Sequence, residues 1–215
     1  MTTAPIAAVE GFVRQIAGWR EYVWGLYRTF EWSGRNALSA RAPLPELFWG
    51  GPTDMRCLAD AVGGVLEHGY AHHIERLMLF GNLMLLLGVH PEEALEWFHS
   101  CFVDSAEWVM VPNVYGMALH ADGGLMATKP YAATGRYVDR MSDHCAGCRY
   151  RPGDRVGERA CPFTLLFWDF LARKRRRFAA NPRMRPLYRT LERFDADERG
   201  EIARRGRGLR RRFDA

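Results

Sequence analysis

The chain has 215 residues and a mass of 24.6 kDa, room for one sizeable domain or two small ones, and its 48% apolar and 26% charged residues exclude a wholly disordered polymer. The formal net charge of +5 hides an asymmetry: residues 171–215 hold 16 Lys or Arg against 6 Asp or Glu, whereas the first 170 hold 14 against 19. The longest apolar stretch, Leu77 to Val89, is 13 residues long and carries Asn82, too short to span a membrane; the opening MTTAPIAAVEGF lacks the features of a secretory leader, so a cytoplasmic, reducing location is expected.

Helical periodicity runs through most of the chain. Between about Val9 and Trp32, Phe12, Val13, Ile16, Trp19, Val23, Leu26, Tyr27 and Phe30 recur at the spacing of one helix face, and Gly34 follows as a stop. A connector with Pro43 and Pro45 leads to the aromatic turn Phe48-Trp49-Gly50-Gly51-Pro52. Thr53 is the expected N-cap of a helix carrying Met55, Leu58, Val62 and Val65, which ends near Gly69. Ala71 to Gly88 reads as a helix buried on most sides. His90-Pro91-Glu92-Glu93 opens another, running to about Val103, with proline and acids where a helix N-terminus favours them.

Residues 111–130 show no clear period and read as an irregular but packed segment. A short helix is expected at 131–142, then a cysteine segment, then a helix from Phe163 to about Ala180, apolar first and basic last. The remainder, 181–215, is basic and expected to be a flexible tail. Its arginines could bind anions through bidentate forks, although an arginine bias alone does not establish that. The fold class is all-α.

An odd count of five cysteines in a reducing compartment points to metal binding or chance rather than a disulfide frame. Cys145-Ala146-Gly147-Cys148 is a Cys-x2-Cys turn, and Cys161-Pro162 stands where a helix begins, so that the helix dipole favours the anionic sulfur. A four-cysteine site needs one more ligand, from Cys57, early on its own helix, or from Cys101, which lies among Trp97, Phe98 and Phe102 like a core thiol. Spacing leaves both open, and leaves zinc and iron–sulfur open as well.

Six stretches carry a family resemblance: GFVRQIAGWREYVWG (11–25), FWGGPTDMRCLAD (48–60), HGYAHHIERLM (68–78), WVMVPNVYGMALHADGG (108–124), KPYAATGRYVDRMSDHCAGCRY (129–150) and ACPFTLLFWDFL (160–171). In order and content they resemble the C-terminal part of the helical FAD-binding domain of the iron–sulfur bacterial cryptochromes and photolyases, the prokaryotic six-four photolyase type. The resemblance covers about residues 11–175 and implies a partial FAD-binding and iron–sulfur domain over 1–180.

The resemblance implies that Cys57, Cys145, Cys148 and Cys161 hold a 4Fe–4S cluster, with Cys101 left in the core. It implies that His72 and His73 serve catalysis, His73 as proton donor, and that Arg76, Asp104, Met110 and Asn113 lie about the flavin. Met110 stands where some relatives carry a more polar residue. Trp97, Trp49 and Tyr137 fall on electron-transfer positions, and Lys129 and Tyr131 beside the DNA lesion. Without the resemblance, these histidines and tryptophans would read as core residues and Arg76 with Asp104 as a structural ion pair.

The implied activity is light-driven repair of pyrimidine photoproducts in damaged DNA by an electron from reduced FAD. The alternatives are a non-catalytic blue-light or redox sensor and a metal-stapled DNA-binding module without flavin. The family's N-terminal α/β domain and the loop that grips the FAD phosphates have no counterpart in the sequence. The resemblance therefore implies that FAD binding is weakened or lost unless a separate chain supplies the missing half, which would cover an exposed apolar face.

Overall fold

A computed structural model describes residues 4–213. The recurring apolar residues of the first segment form one continuous helical rod: α1 (Ile6–Val13), a π-helical stretch (Arg14–Arg20) and α2 (Glu21–Thr29). Only its far end is packed. Val23 and Leu26 are buried, whereas Ile6, Phe12 and Val13 are 82%, 69% and 51% exposed.

The helix α3 (Arg56–His68) starts later than the expected cap. The Thr53 hydroxyl accepts a hydrogen bond from the Met55 N–H at 3.2 Å, which shapes the approach, but the first helical residue is Arg56. It ends at Gly69 (φ +63°), where a Cβ would meet the Val103 side chain at 2.8 Å, so conformation and space both call for glycine.

The centre of the molecule is α4 (His73–Glu75), a π-helical stretch (Arg76–Gly81) and α5 (Asn82–Leu87). Every residue from Leu77 to Leu87 is buried. Next comes α6 (Pro91–Cys101), its first turn met by the His90 Nδ1, which accepts from the Glu92 N–H at 3.4 Å. α6 delivers Trp97 into the core, where its ring lies 5.0–5.4 Å from those of Phe48, Phe80, Phe98 and Phe102.

The segment read as lacking a period is helical over its first part, a correction to the sequence reading. α7 (Glu107–Pro112) runs directly into a π-helical stretch (Asn113–Ala118). Pro112 and Gly116 break the apolar pattern and disguise the helix. Proline has no N–H and its ring crowds the preceding turn, and the widened π turn follows at once. Gly116 is required because a Cβ there would overlap the Met126 side chain. α2 packs along α7.

Chain continues through α8 (Gly135–Met141), a 3-10 turn (His144–Gly147), α9 (Pro162–Arg173), α10 (Arg175–Phe178), α11 (Arg185–Glu192) and α12 (Ala196–Phe213). α9 is buried from Pro162 to Leu171 and forms the second spine of the core. The basic segment described to Phe213 is not an extended tail. Met184, Tyr188, Leu191, Phe194 and Ile202 are buried, and α12 lies against α9. The buried Asp169 carboxylate binds Arg173 of its own helix (2.7 Å) and Arg210 of α12. Gly206 allows this approach, since a Cβ there would stand 2.6 Å from the Asp169 carboxyl carbon.

Among the described residues there is no β-strand, only two isolated bridges, so the fold is all-α. No helix of the described residues is long and apolar enough to cross a membrane.

Candidate functional site

Two helix starts and one turn converge on a single small cavity whose wall includes Cys57, Cys145, Cys148 and Cys161. Cys57 comes from the first turn of α3, Cys145 and Cys148 from the 3-10 turn and its exit, and Cys161 from the N-cap of α9. Cys57 and Cys161 are buried and the other two half-buried; none is in a disulfide.

Side chains around the cavity lace these pieces together. Asp60 on α3 meets His144 Nδ1 at 3.1 Å, and Asp54 meets Arg149 at 2.8 Å. The Thr164 hydroxyl accepts from the Gly135 N–H at 3.0 Å and donates to the Pro152 carbonyl at 2.7 Å, tying α8 to α9. Gly135 faces the sulfur directly: a Cβ there would stand 2.6 Å from Cys161 Sγ.

Burial raises the thiols. Cys57 is pushed far above its ordinary range by desolvation first and then by the neighbouring Cys161, Cys145 and Cys148. Cys161 is pushed up to about 11 by desolvation, partly offset by the backbone N–H groups of Thr164 and Phe163 at the start of α9. Thiols gathered this closely become thiolates together only against a compensating positive charge.

The cavity wall holds four cysteines, apolar side chains, His144 and no carboxylate, a soft donor set that fits thiolate-loving metals and iron–sulfur groups. Among the described residues, no group of three or more His, Cys, Asp or Glu is gathered tightly enough for a single metal ion. Cys101 lies on α6 and is absent from this wall.

The second cluster lies at the start of the central helix. His72 caps α4: its Nδ1 accepts from the Ile74 N–H at 3.2 Å, and Glu75 returns the favour by accepting from the His72 N–H at 2.9 Å. With Nδ1 accepting, the proton of a neutral His72 sits on Nε2. His73 is held below the ordinary histidine pKa by partial burial, then by the Arg76 charge, then by His72.

Arg76 grips Asp104 with two prongs, at 2.8 and 3.1 Å, while its Nε donates to the Ala71 carbonyl at 2.8 Å. Its guanidinium lies 4.3 Å from the Phe102 ring centre and 5.0 Å from that of Tyr70. Met110 is buried on α7. The Asn113 amide donates to the Val109 carbonyl at 2.8 Å, leaving Oδ1 buried without a partner, an acceptor that calls for a donor from outside the chain's own bonds.

The Arg76 guanidinium lies over Phe102, Phe102 meets Trp97 edge-on at 5.4 Å, and the Trp97 N–H donates at 2.8 Å to the carbonyl of Phe48, the residue preceding the exposed Trp49. Tyr137 belongs elsewhere, on α8 beside the cysteine cavity, with Arg140 over its ring. Lys129 and Tyr131 are exposed on a loop pinned at both ends. Asn181 and Arg183 bond Thr128, and the buried Asn82 exchanges two bonds of 3.1 Å with Ala133.

Sequence reasoning missed Asn82 and also the α2–α7 corner, where Trp24 meets Trp108 edge-on at 5.7 Å and a Tyr27–Glu107 hydrogen bond raises the Tyr27 pKa. The aromatic density of residues 19–30 was the available signal.

No family model matches the chain. It is 45% identical over 213 residues, 98% of its length, to a (6-4) photolyase of Agrobacterium fabrum. The chain belongs to the photolyase/cryptochrome family. It spans about 42% of the length of that relative. A 66-residue part, 31% of the chain, is also 44% identical to the uncharacterized protein R855 of Acanthamoeba polyphaga mimivirus, covering 54% of that protein.

Proposed function

We propose that the chain forms part of a light-driven, flavin- and iron–sulfur-dependent lyase acting on pyrimidine photoproducts in DNA. The observation that carries this reading is the arrangement of His73 beside the Arg76–Asp104 fork, in a chain so similar to a (6-4) photolyase. When bound, reduced FAD supplies a photoexcitable one-electron donor, and a 4Fe–4S cluster supplies a redox-active inorganic staple between α3, the 3-10 turn and α9.

Arg76, Asp104 and Asn113 would hold the flavin. Arg76 keeps a fixed positive charge there because Asp104, Phe102 and Ala71 restrain its guanidinium from three directions. The unpartnered Asn113 Oδ1 would accept a hydrogen bond from the ring system. Cys57, Cys145, Cys148 and Cys161 would hold the cluster. Trp97 and Trp49 form the more continuous line from the Arg76 corner to the surface.

His73 is neutral at neutral pH in the free chain, because the imidazolium would be partly desolvated beside Arg76. A DNA phosphate brought next to it offsets that repulsion and raises its pKa, so the ring gains a donatable proton as substrate binds. His72, tied at Nδ1 to the backbone, presents Nε2–H and orients rather than exchanges protons. Lys129 and Tyr131 would meet the lesion strand from their pinned loop, and the arginines of the C-terminal segment would neutralise its phosphates.

Complete flavin binding would come with protein corresponding to the rest of the relative's length. The exposed apolar residues Ile6, Val9, Phe12 and Val13 on α1 offer that counterpart a surface. The test is repair of an oligonucleotide carrying a six-four photoproduct, under blue light, with reductant and FAD present. Repair that depends on light and on His73 supports the proposal; flavin photoreduction without any repair would overturn the lyase reading.

A further inference from the structure

A second, half-open cavity, of about 340 Å³, lies where the loop 36–43 crosses the C-terminal ends of α5 and α9, and it shares no residue with the cysteine cavity or the Arg76 corner. Arg41, Arg173, Lys174 and Arg210 line it, and no Asp or Glu does. Asp169, next in the chain to Phe170 of the wall, is buried and already divided between Arg173 and Arg210.

Backbone carbonyls engage part of this positive charge. Leu86 accepts from Arg173 at 2.7 Å, Leu38 accepts from Lys174 Nζ, and Gly88 accepts from the Arg41 and Ala42 N–H groups. Lys174 is half-buried, with its pKa lowered by desolvation first and then by Arg173 and Arg177. It is a cation held among cations.

The loop over this cavity is built, not slack. Asn36 bonds Ala40 in both directions, at 2.7 and 2.8 Å, and holds Ser39 in the left-handed region at φ +52°. A non-glycine residue keeps that strained conformation only where its surroundings over-determine it. The effect is to set the exposed Ser39 and Arg41 at the rim. On the other side the wall is apolar, formed by Leu85, Pro91, Leu119 and Phe170.

We infer that this cavity binds a small organic phosphate, with the phosphate held by Arg41, Lys174 and Ser39 and an apolar or aromatic body resting on Leu85, Leu119 and Phe170. A phosphate suits the cationic wall better than a carboxylate because its additional charge and three oxygens can engage guanidinium and ammonium groups together. None of these residues belongs to the proposed flavin, cluster or lesion sites, so the inference stands or falls separately from the proposed lyase activity.

The experiment is calorimetric titration of the chain with adenosine monophosphate, inorganic phosphate and adenosine. Saturable binding is expected for the monophosphate, weaker for inorganic phosphate and weakest for adenosine. Arg41→Ala, a change at an exposed residue, and Lys174→Met are each expected to weaken monophosphate binding at least tenfold, with far-ultraviolet circular dichroism unchanged in Arg41→Ala. No saturable binding of the monophosphate, or affinity unchanged in Arg41→Ala, would overturn the inference.

Discussion

Arg76 and Asp104, 28 residues apart, meet through two parallel bonds of 2.8 and 3.1 Å above the Phe102 ring. The pair ties the π-helical turn of the central helix to the loop before α7, so it fixes the spacing between the two elements that carry His73 and Asn113. The Asp104 side chain is 51% exposed, and solvent screens its share of the attraction. Asp104→Asn is therefore expected to cost only about 1 kcal/mol in urea unfolding. The same change should lower flavin retention more than stability, which gel filtration with absorbance at flavin wavelengths reads directly.

His73 offers a titration test. Its folded-state pKa is lowered, so an unfolded chain takes up this proton at higher pH than the folded one. Stability falls as the pH drops from the ordinary histidine range through the lowered value, and above that range the effect vanishes. Proton NMR should place the His73 midpoint below 6.5, the ordinary value, and addition of damaged DNA should move it upward. His73→Gln should reduce the acid-side loss of stability.

Asp169 is expected to be the most sensitive position of the C-terminal half. Its side chain is 3% exposed and serves two guanidinium groups, one on α9 and one on α12. Removing one partner of a buried ionic group leaves the others uncompensated, so Asp169→Ala should cost about 3–5 kcal/mol. Limited proteolysis should then open the α12 region, residues 196–213, before the rest. Gly206→Ala, which drives a methyl group into the same carboxylate, should loosen α12 in the same way.

Gly135→Ala probes the cysteine cavity without touching a sulfur. The added methyl would fall 2.6 Å from Cys161 Sγ, so either the sulfur or α8 must shift. Overpacking of this kind costs about 1–3 kcal/mol. Bound iron per chain should fall as well, measured by a chelator assay after anaerobic purification.

How much of this was legible beforehand depended on the distance over which a signal acts. Local patterns carried the helices: the apolar repeat of α3, the Pro91-Glu92-Glu93 start of α6 and the unbroken apolar run of α9 all fold where their side chains indicate. α7 escaped because Pro112 and Gly116 interrupt its pattern, and α11 and α12 because surrounding arginines masked Met184, Tyr188, Leu191 and Ile202. Contacts across long sequence gaps left no trace. Asn82 with Ala133 and Asp169 with Arg210 join residues 51 and 41 positions apart. The Cys-x2-Cys turn was visible as a motif, but spacing could not choose between Cys57 and Cys101; the family resemblance implied Cys57, and the fold sets Cys57 in the wall with the other three.

The most direct measurement is the pair Cys57→Ser and Cys101→Ser, each purified anaerobically beside the unaltered chain and assayed for iron, acid-labile sulfide and visible absorbance. The unaltered chain and Cys101→Ser should both be brown and carry about four irons and four sulfides, whereas Cys57→Ser should lose most of both. A colourless unaltered chain, or equal iron in all three proteins, would contradict the account.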